Sequence, residues 1–339
     1  MSVDESVRET TDSALDRPAK RGRRNAPPSP WRTEKKPKKV AVTGIHSLNG
    51  KWAYLFTSPF FVMFTIFGLI PVIYSIYIAF YQWDPLDPSA QVFVGLDNFR
   101  FLLDDDNFWN AVRNTFSIWA FSTLPQMAIA IFLASILRNP ILRGATVWRT
   151  LLLIPNITSV LAVALVFGQL FGREYGMINY VISLFGFEHI DFVEETIPGH
   201  IAIATMITWR WVGYNALIFL AAMLAIPQEL FESAAIDGAT KWQTVRYVTL
   251  PQLKNTITFF LIVGTIGGLQ VFAEPLILGG AGGGANRQFS TLTLFLFEQA
   301  FINVNWGYGA AVGIAITVLV LIISLINFMI TRRIASADN

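Results

Sequence analysis

The chain has 339 residues, of which 53% are hydrophobic and only 14% charged. So few charges on so much apolar surface exclude a soluble domain of this size, and lipid must solvate most of it. Cysteine is absent, which removes disulfides, thiolate metal ligands and a cysteine nucleophile, while His46, His189 and His200 stand far apart in the chain.

Residues 1–50, counted together with Lys51 at the membrane edge, carry twelve Lys and Arg against six acidic residues ending at Glu34. Few apolar residues interrupt them, so the stretch reads as a disordered basic tail. It is not a signal peptide, because the following apolar run is too long and no small-residue cleavage site follows. A basic flank beside a first membrane span is an ordinary topology signal. No nucleic-acid contact is expected, since no folded reader or aromatic interleaving accompanies the charge.

From Trp52 onward, six apolar stretches are long enough to cross about 30 Å of hydrocarbon as helices. They cover residues 52–81, 112–137, 150–171, 200–224, 255–278 and 308–330. Pro59 and Pro71 in the first and Pro125 in the second predict bends. An even number of spans puts both termini on one side. Twenty Lys and Arg fall on that side, against Arg100, Arg113, Arg173 and Arg287 on the other, so both termini are expected in the cytoplasm. The opposite loops are acidic, with Asp104, Asp105 and Asp106 in one and Glu188, Asp191, Glu194 and Glu195 in another. Their spacing is not that of a calcium loop, so they read as solvated faces and no metal site is expected.

The stretch 225–254 is unlike a short turn between spans. Pro227 followed by Glu229 marks a helix start, and Gly238 marks a stop, which predicts a short helix over 228–237 outside the bilayer. Leu230, Ala234 and Asp237 share one face of it, Phe231 and Ala235 another, and Glu232 points elsewhere. Small residues at 234 and 235 let another surface approach closely. A helix resting on lipid headgroups needs Lys and Arg on its polar face, and this one has none, so a protein partner is expected instead.

The sequence Glu232-Ser233-Ala234-Ala235-Ile236-Asp237-Gly238-Ala239, with Leu250-Pro251 beyond it, resembles the signature loop of permease subunits of bacterial binding-protein-dependent ABC importers. The resemblance extends over 52–333 and narrows to carbohydrate importers, in particular the maltose-type F permease. Val94-Gly95-Leu96-Asp97-Asn98-Phe99, Asn114-Thr115, the run from Arg149 through Leu153, Ile154 and Pro155, and Gly307-Tyr308-Gly309-Ala310-Ala311 carry it. Where the family shows Leu-Thr-x-Gly-Gly-Pro, this chain has Leu278-Gly279-Gly280-Ala281-Gly282-Gly283, a departure expected to loosen that loop.

The resemblance implies an all-α membrane protein with six transmembrane helices, the type I ABC importer permease fold with a cytoplasmic coupling helix. With the disordered basic cytoplasmic tail over 1–50, on which the resemblance says nothing, the expected organisation is a permease domain over 51–334 with a coupling loop over 225–254 and a short cytoplasmic tail over 335–339. The location implied is the bacterial inner membrane. The implied partners are a second homologous permease, a dimeric cytoplasmic ATPase and an extracytoplasmic sugar-binding protein. Glu232, Ala235, Asp237 and Gly238 would couple to the ATPase, and Asn156, Ser159, Trp209, Gly213, Gly268 and Val271 lie at or beside the family's sugar contacts.

Read from the residues alone, polar groups inside spans mark a solute path, because they are costly there unless used. Asn156, Ser159, Trp209, Gly213, Tyr214, Asn215, Gly268 and Gln270 are the candidates. Arg210 is the most unusual residue, at a cost of about 2.5–3.5 kcal/mol on the insertion scale. Its nearest acidic candidate is Glu274, with the two about 15 Å and about 6 Å below the outer surface. A structural ion pair and a gate lock are both open readings of that pair.

The chain lacks a Gly-x-x-x-x-Gly-Lys-Ser/Thr phosphate loop and any recognisable catalytic constellation, so it is expected to bind no cofactor, ATP and Mg belonging to the partner. Two rivals remain: an importer permease for a non-sugar solute, and a secondary transporter, which predicts inverted repeats and broken helices.

Overall fold

A computed structural model describes residues 50–83, 91–139 and 141–336, with side chains from Tyr54 to Met329 within those ranges. The basic tail therefore lies outside the described residues, Gly50 apart, as do residues 337–339. The chain divides into two compact units, Met1–Val62 and Met63–Asn339.

Helix is the dominant structure. Five apolar helical stretches are long enough to cross a membrane: Tyr54–Ile78, Asp106–Leu137, Thr196–Leu224, Lys254–Gly279 and Trp306–Met329. A sixth arises if Ala145–Ile157 and Val160–Leu170, bent by 91° at their junction, form one span. The third span is thus broken and not straight, which its apolar sequence did not announce. The helices in chain order are α1 (Gly50–Phe64), α2 (Ile70–Ile78), α3 (Asp97–Asp104), α4 (Asp106–Leu137), α5 (Ala145–Ile157), α6 (Val160–Leu170), α7 (Met177–Leu184) and α8 (Thr196–Leu224). They continue with α9 (Gln228–Ile236), α10 (Lys241–Thr244), α11 (Leu250–Gln252), α12 (Lys254–Gly268), α13 (Ala273–Gly279), α14 (Leu292–Phe297) and α15 (Trp306–Ser336). Tyr81–Gln82 and Val92–Phe93 pair as a minimal antiparallel ribbon.

Two prolines act through widened turns. A π-helical turn over Thr65–Leu69 precedes Pro71, and another over Val245–Thr249 precedes Pro251. In each, the amide before the proline bonds five residues back, Ile70 to Thr65 and Leu250 to Val245. Proline lacks an N–H and its ring crowds the carbonyl four residues back, and a wider turn relieves both. By contrast, α4 runs through Pro125 without a break.

The core is built on α4 and α8. Ala130 and Ala134 of α4 and Ala216 of α8 are fully buried, which brings the backbones close, and Phe219, Leu220, Met223, Leu253 and Phe260 fill the remaining space. In a second cluster, Leu102, Phe108 and Ala111 pack with Phe295, Tyr308 and Val312.

Motif fragments some 200 residues apart in sequence meet in this fold. Asn98 Nδ2 donates to the carbonyls of Ala79 at 2.8 Å and Tyr81 at 3.0 Å. A Cβ on Gly307 would lie 2.0 Å from that same Tyr81 oxygen, so only glycine fits. Next to it, Tyr308 Oη donates at 2.7 Å to Asp105, whose other oxygen caps α4 through the Asn107 amide. Asp105 is therefore a structural acceptor and not a solvated loop carboxylate.

Candidate functional site

The segment joining α8 to α12 holds the first candidate region. Pro227 starts α9 with an extended backbone, and Gly238 ends it at φ +73°, where no L side chain sits comfortably. The Gly238 amide bonds to Ala235 O at 3.1 Å and the Ala239 amide to Ala234 O at 2.9 Å, the paired closure of a Schellman stop. The helix and its glycine stop thus form where the spacing places them. Thr240 and Gln243 then close a capping box on α10, a Thr-x-x-Gln pattern readable in the sequence but passed over.

Phe231 and Ala234 are half-buried, whereas Leu230, Asp237 and Ala235 are exposed. The guanidinium of Arg138, at the end of α4, stands 3.7 Å from the centre of the Phe231 ring, a cation–π contact that ties α9 to the helix pair above it. Glu232, Ala235, Asp237 and Gly238 point outward, and Ile236 is 87% exposed. An apolar residue so exposed between two carboxylates leaves a docking face uncovered.

The second candidate region is a cavity of about 450 Å³ bounded by α4, α8, α12 and α13. Asn215, Gly268, Gln270, Tyr214, Arg210 and Glu274 all line it, so the structure gathers those sequence candidates into one space. Gln270 occupies a gap between α12 and α13, where the chain leaves helical geometry over Leu269–Phe272. At the break of the third span, Asn156 is half-buried and Ser159 exposed, and neither lines the cavity. Two discontinuous spans therefore exist, the feature that sequence reasoning had reserved for a secondary carrier.

Gly213 and Trp209 do not line this cavity. A Cβ on Gly213 would lie 1.9 Å from the Leu152 carbonyl oxygen, so this glycine lets α8 and α5 touch and does not line the cavity. Trp209 packs on Phe167, with ring centres 5.6 Å apart. Gly268 has both features: it borders the cavity, and its missing Cβ makes room for Trp119.

Arg210 Nη1 donates to Glu274 Oε1 at 2.9 Å, and the two side chains are only 15% and 8% exposed. Gln126 of α4 was not singled out by sequence, since one amide in an apolar span is a weak signal; it is buried, lines the same cavity, and its Nε2 has no hydrogen-bond partner.

The glycine run is pinned and not loose. The Gly284 amide bonds to Gly279 O at 2.7 Å and the Phe289 amide to Gly283 O at 2.8 Å. A Cβ on Gly283 would fall 2.4 Å from the Ser290 nitrogen, so the glycines make a packed turn. Asn114 Nδ2 donates to Arg287 O at 2.9 Å and Ser290 O at 3.1 Å, and Thr115 Oγ1 accepts the Leu292 amide at 2.9 Å. His200 bridges Ser117 Oγ at 2.8 Å and Gln288 O at 2.7 Å. In the neighbouring loop Asp191 receives the Glu194 and Val193 amides and pairs with Arg173 at 3.0 Å. The Glu194 amide foremost holds the Asp191 carboxyl below the ordinary carboxylate range against partial burial, helped by the Val193 amide and the Arg173 charge.

The profile of the family described as "Binding-protein-dependent transport system inner membrane component" matches residues 106–336. The lactose transport system permease protein LacF of Rhizobium radiobacter is 33% identical over 255 residues, 74% of this chain and 82% of that protein. The arabinooligosaccharides transport system permease protein AraP of Bacillus subtilis is 31% identical over 226 residues, 66% of this chain and 71% of that protein. Among solved structures, a bacterial ABC transporter involved in import of the acidic polysaccharide alginate superimposes with a TM-score of 0.72 at 24% identity, covering 84% of this chain and 96% of that one.

Proposed function

Since the chain belongs to the family of binding-protein-dependent transport system inner membrane components, we propose that this multi-pass membrane protein is one permease half of an ATP-driven importer for sugars, oligosaccharides first. The observation that carries the coupling part is the exposed face of α9: a rigidly stopped helix, tied to α4 through Phe231 and Arg138, presents Glu232, Ile236 and Asp237 to a partner. That partner is a cytoplasmic ATPase dimer, which holds the ATP and Mg. Glu232 supplies the charged contact to a basic residue of the ATPase, Ala235 permits close approach, and Asp237 with Gly238 shapes the exit.

In this reading both termini and α9 lie in the cytoplasm, the pinned loop over 279–291 faces the outside, and a binding protein delivers solute there. ATPase closure draws α9 toward its counterpart on a second, homologous permease and turns the pathway outward; reopening reverses the motion. Because α9 joins α8 directly to the stretch leading into α12, both walls of the cavity move with it. The sugar reading is supported by the lactose and arabinooligosaccharide relatives. Asn215, Gly268 and Gln270 are the pathway residues of this set that line the cavity, while Asn156 and Ser159 mark the break of the third span beside it.

Uptake tests the proposal directly. Deleting this gene should abolish accumulation of labelled lactose or arabinotriose in cells able to take one up, and the wild-type gene should restore it. Undiminished uptake in the deletion strain contradicts the reading. Orientation is checked separately by single-cysteine labelling, for which a chain without cysteine needs no prior substitution.

A further inference from the structure

The cavity between α4, α8, α12 and α13 carries two charges among its lining residues, and they cancel. Arg210 and Glu274 pair at 2.9 Å, and every other polar lining residue, Gln126, Asn215 and Gln270 among them, is formally uncharged at neutral pH. An acidic or basic solute entering here would shed its hydration without meeting an unpaired opposite charge, and to gain one it would have to break the buried pair. A hydroxyl-bearing, uncharged solute meets no such cost.

Two donors on this wall lack acceptors. Gln126 Nε2 and Arg210 Nε are buried and have no hydrogen-bond partner, and both residues line the cavity. Gln126 is only 5% exposed, so its amide is a fixed group on a packed helix. A buried donor left unpaired is unfavourable, and it becomes favourable when an oxygen acceptor arrives. Side-chain amides suit sugar hydroxyls because they donate and accept from one end. Neither residue type nor spacing singled out Gln126; its burial and its vacant donor do.

We propose that Gln126 is a solute-contacting residue of the pathway, donating its amide N–H to a hydroxyl oxygen of an uncharged saccharide, and that the Arg210–Glu274 pair sets the preference for uncharged over acidic sugars. This assignment rests on the importer reading above and names the substrate class of that pathway.

The test uses the whole importer reconstituted in proteoliposomes, comparing wild type with Gln126→Leu, which keeps the volume and removes both polar atoms. Labelled lactose and arabinotriose are the probes, each with its set of monodeoxy analogues and with a uronate-bearing counterpart of equal length. The binding protein is common to both variants, so its selectivity cancels in their ratio. Gln126→Leu should slow uptake of the carried sugar on the order of tenfold, the factor expected for one lost hydrogen bond. One deoxy analogue, lacking the contacted hydroxyl, should be slow in wild type and no slower in the variant. Wild type should carry the uronate counterpart more slowly than the neutral sugar. Glu274→Gln, which frees the Arg210 guanidinium, should raise uptake of the uronate relative to the neutral sugar about tenfold, a ratio of variant to wild type in which the binding protein again cancels. Equal slowing of the parent sugar and every analogue would mean a structural role and overturn the assignment, as would unchanged uptake or equal uptake of the uronate sugar. Accumulation of no probe sugar by wild type sinks the sugar reading itself, which the other failures leave standing.

Discussion

Arg210 and Glu274, 64 positions apart, form an ion pair at 2.9 Å inside the membrane-spanning region, joining α8 to the start of α13 just beyond the break in the fifth span. Removing one partner of such a pair leaves a buried charge, at a cost of about 3–5 kcal/mol. Arg210→Met and Glu274→Gln should therefore each lower the melting temperature of the purified complex. The double change Arg210→Met/Glu274→Leu separates structure from gating. If the pair only holds the fold, the double variant regains both stability and uptake. If it latches the pathway, stability returns but ATP hydrolysis runs without coupled uptake.

Close approach of α8 and α5 depends on one missing methyl group. Adding it in Gly213→Ala places a Cβ 1.9 Å from the Leu152 carbonyl oxygen, and a backbone atom cannot swing aside as a side chain can. The expected loss is about 1–3 kcal/mol, read as a lower melting temperature, with Gly213→Leu failing to accumulate in the membrane. A Gly213→Ala protein as stable as wild type would show that the two helices have room to part.

The fastening of the loop over 279–291 should be breakable at Asn114. That side chain is buried and serves the carbonyls of Arg287 and Ser290; Arg287 O keeps Asn110 Nδ2 at 3.0 Å, so Asn114→Ala takes the side-chain donor from Ser290 O at a cost of about 1–3 kcal/mol. Limited proteolysis of the purified protein should cut 279–291 faster in the variant. An unchanged cleavage rate means that His200 and Thr115 hold the loop without it.

Asp191 gives a pH-dependent case. Its folded carboxyl titrates below the ordinary value of about 3.9, so its contribution is complete above that value and is lost as pH falls through the lower folded one. Asp191→Ala should weaken the loop over 188–195 by about 1 kcal/mol at neutral pH, seen as faster proteolysis or amide exchange. The difference from wild type should shrink below about pH 3.9. A difference that persists undiminished in acid shows that charge plays no part.

Span count, the α9 helix with its glycine stop, and the Arg210–Glu274 partnership were legible in the sequence because each rests on local rules or on a cost that demands a partner. A run of about 20 apolar residues, a Pro-then-Gly bracket and a lone buried guanidinium are such cases. The contacts of Gly213 with Leu152 and of Trp209 with Phe167 were not legible, because an apolar span does not reveal which neighbour each face meets. The break at Thr158–Ser159 was missed because Pro155 lies inside α5, three residues before the chain actually turns extended. The glycine run misled in the other direction: its flexibility as a peptide is consumed by close packing against Phe289 and Ser290. Asn98 and Gly307 were read as marks of kinship, and only the fold reveals that they meet at Tyr81.

The most direct test of the account is co-purification of the tagged chain from its native membrane, wild type beside Glu232→Lys, with every stoichiometric partner identified. The account predicts that wild type brings down a second permease, a cytoplasmic ATPase and an extracytoplasmic sugar-binding protein. It predicts that Glu232→Lys keeps the second permease and loses the ATPase, because a cation now stands on the exposed face of α9. A wild-type chain that purifies alone as a stable homo-oligomer, or a Glu232→Lys chain that retains the ATPase in full, would contradict it.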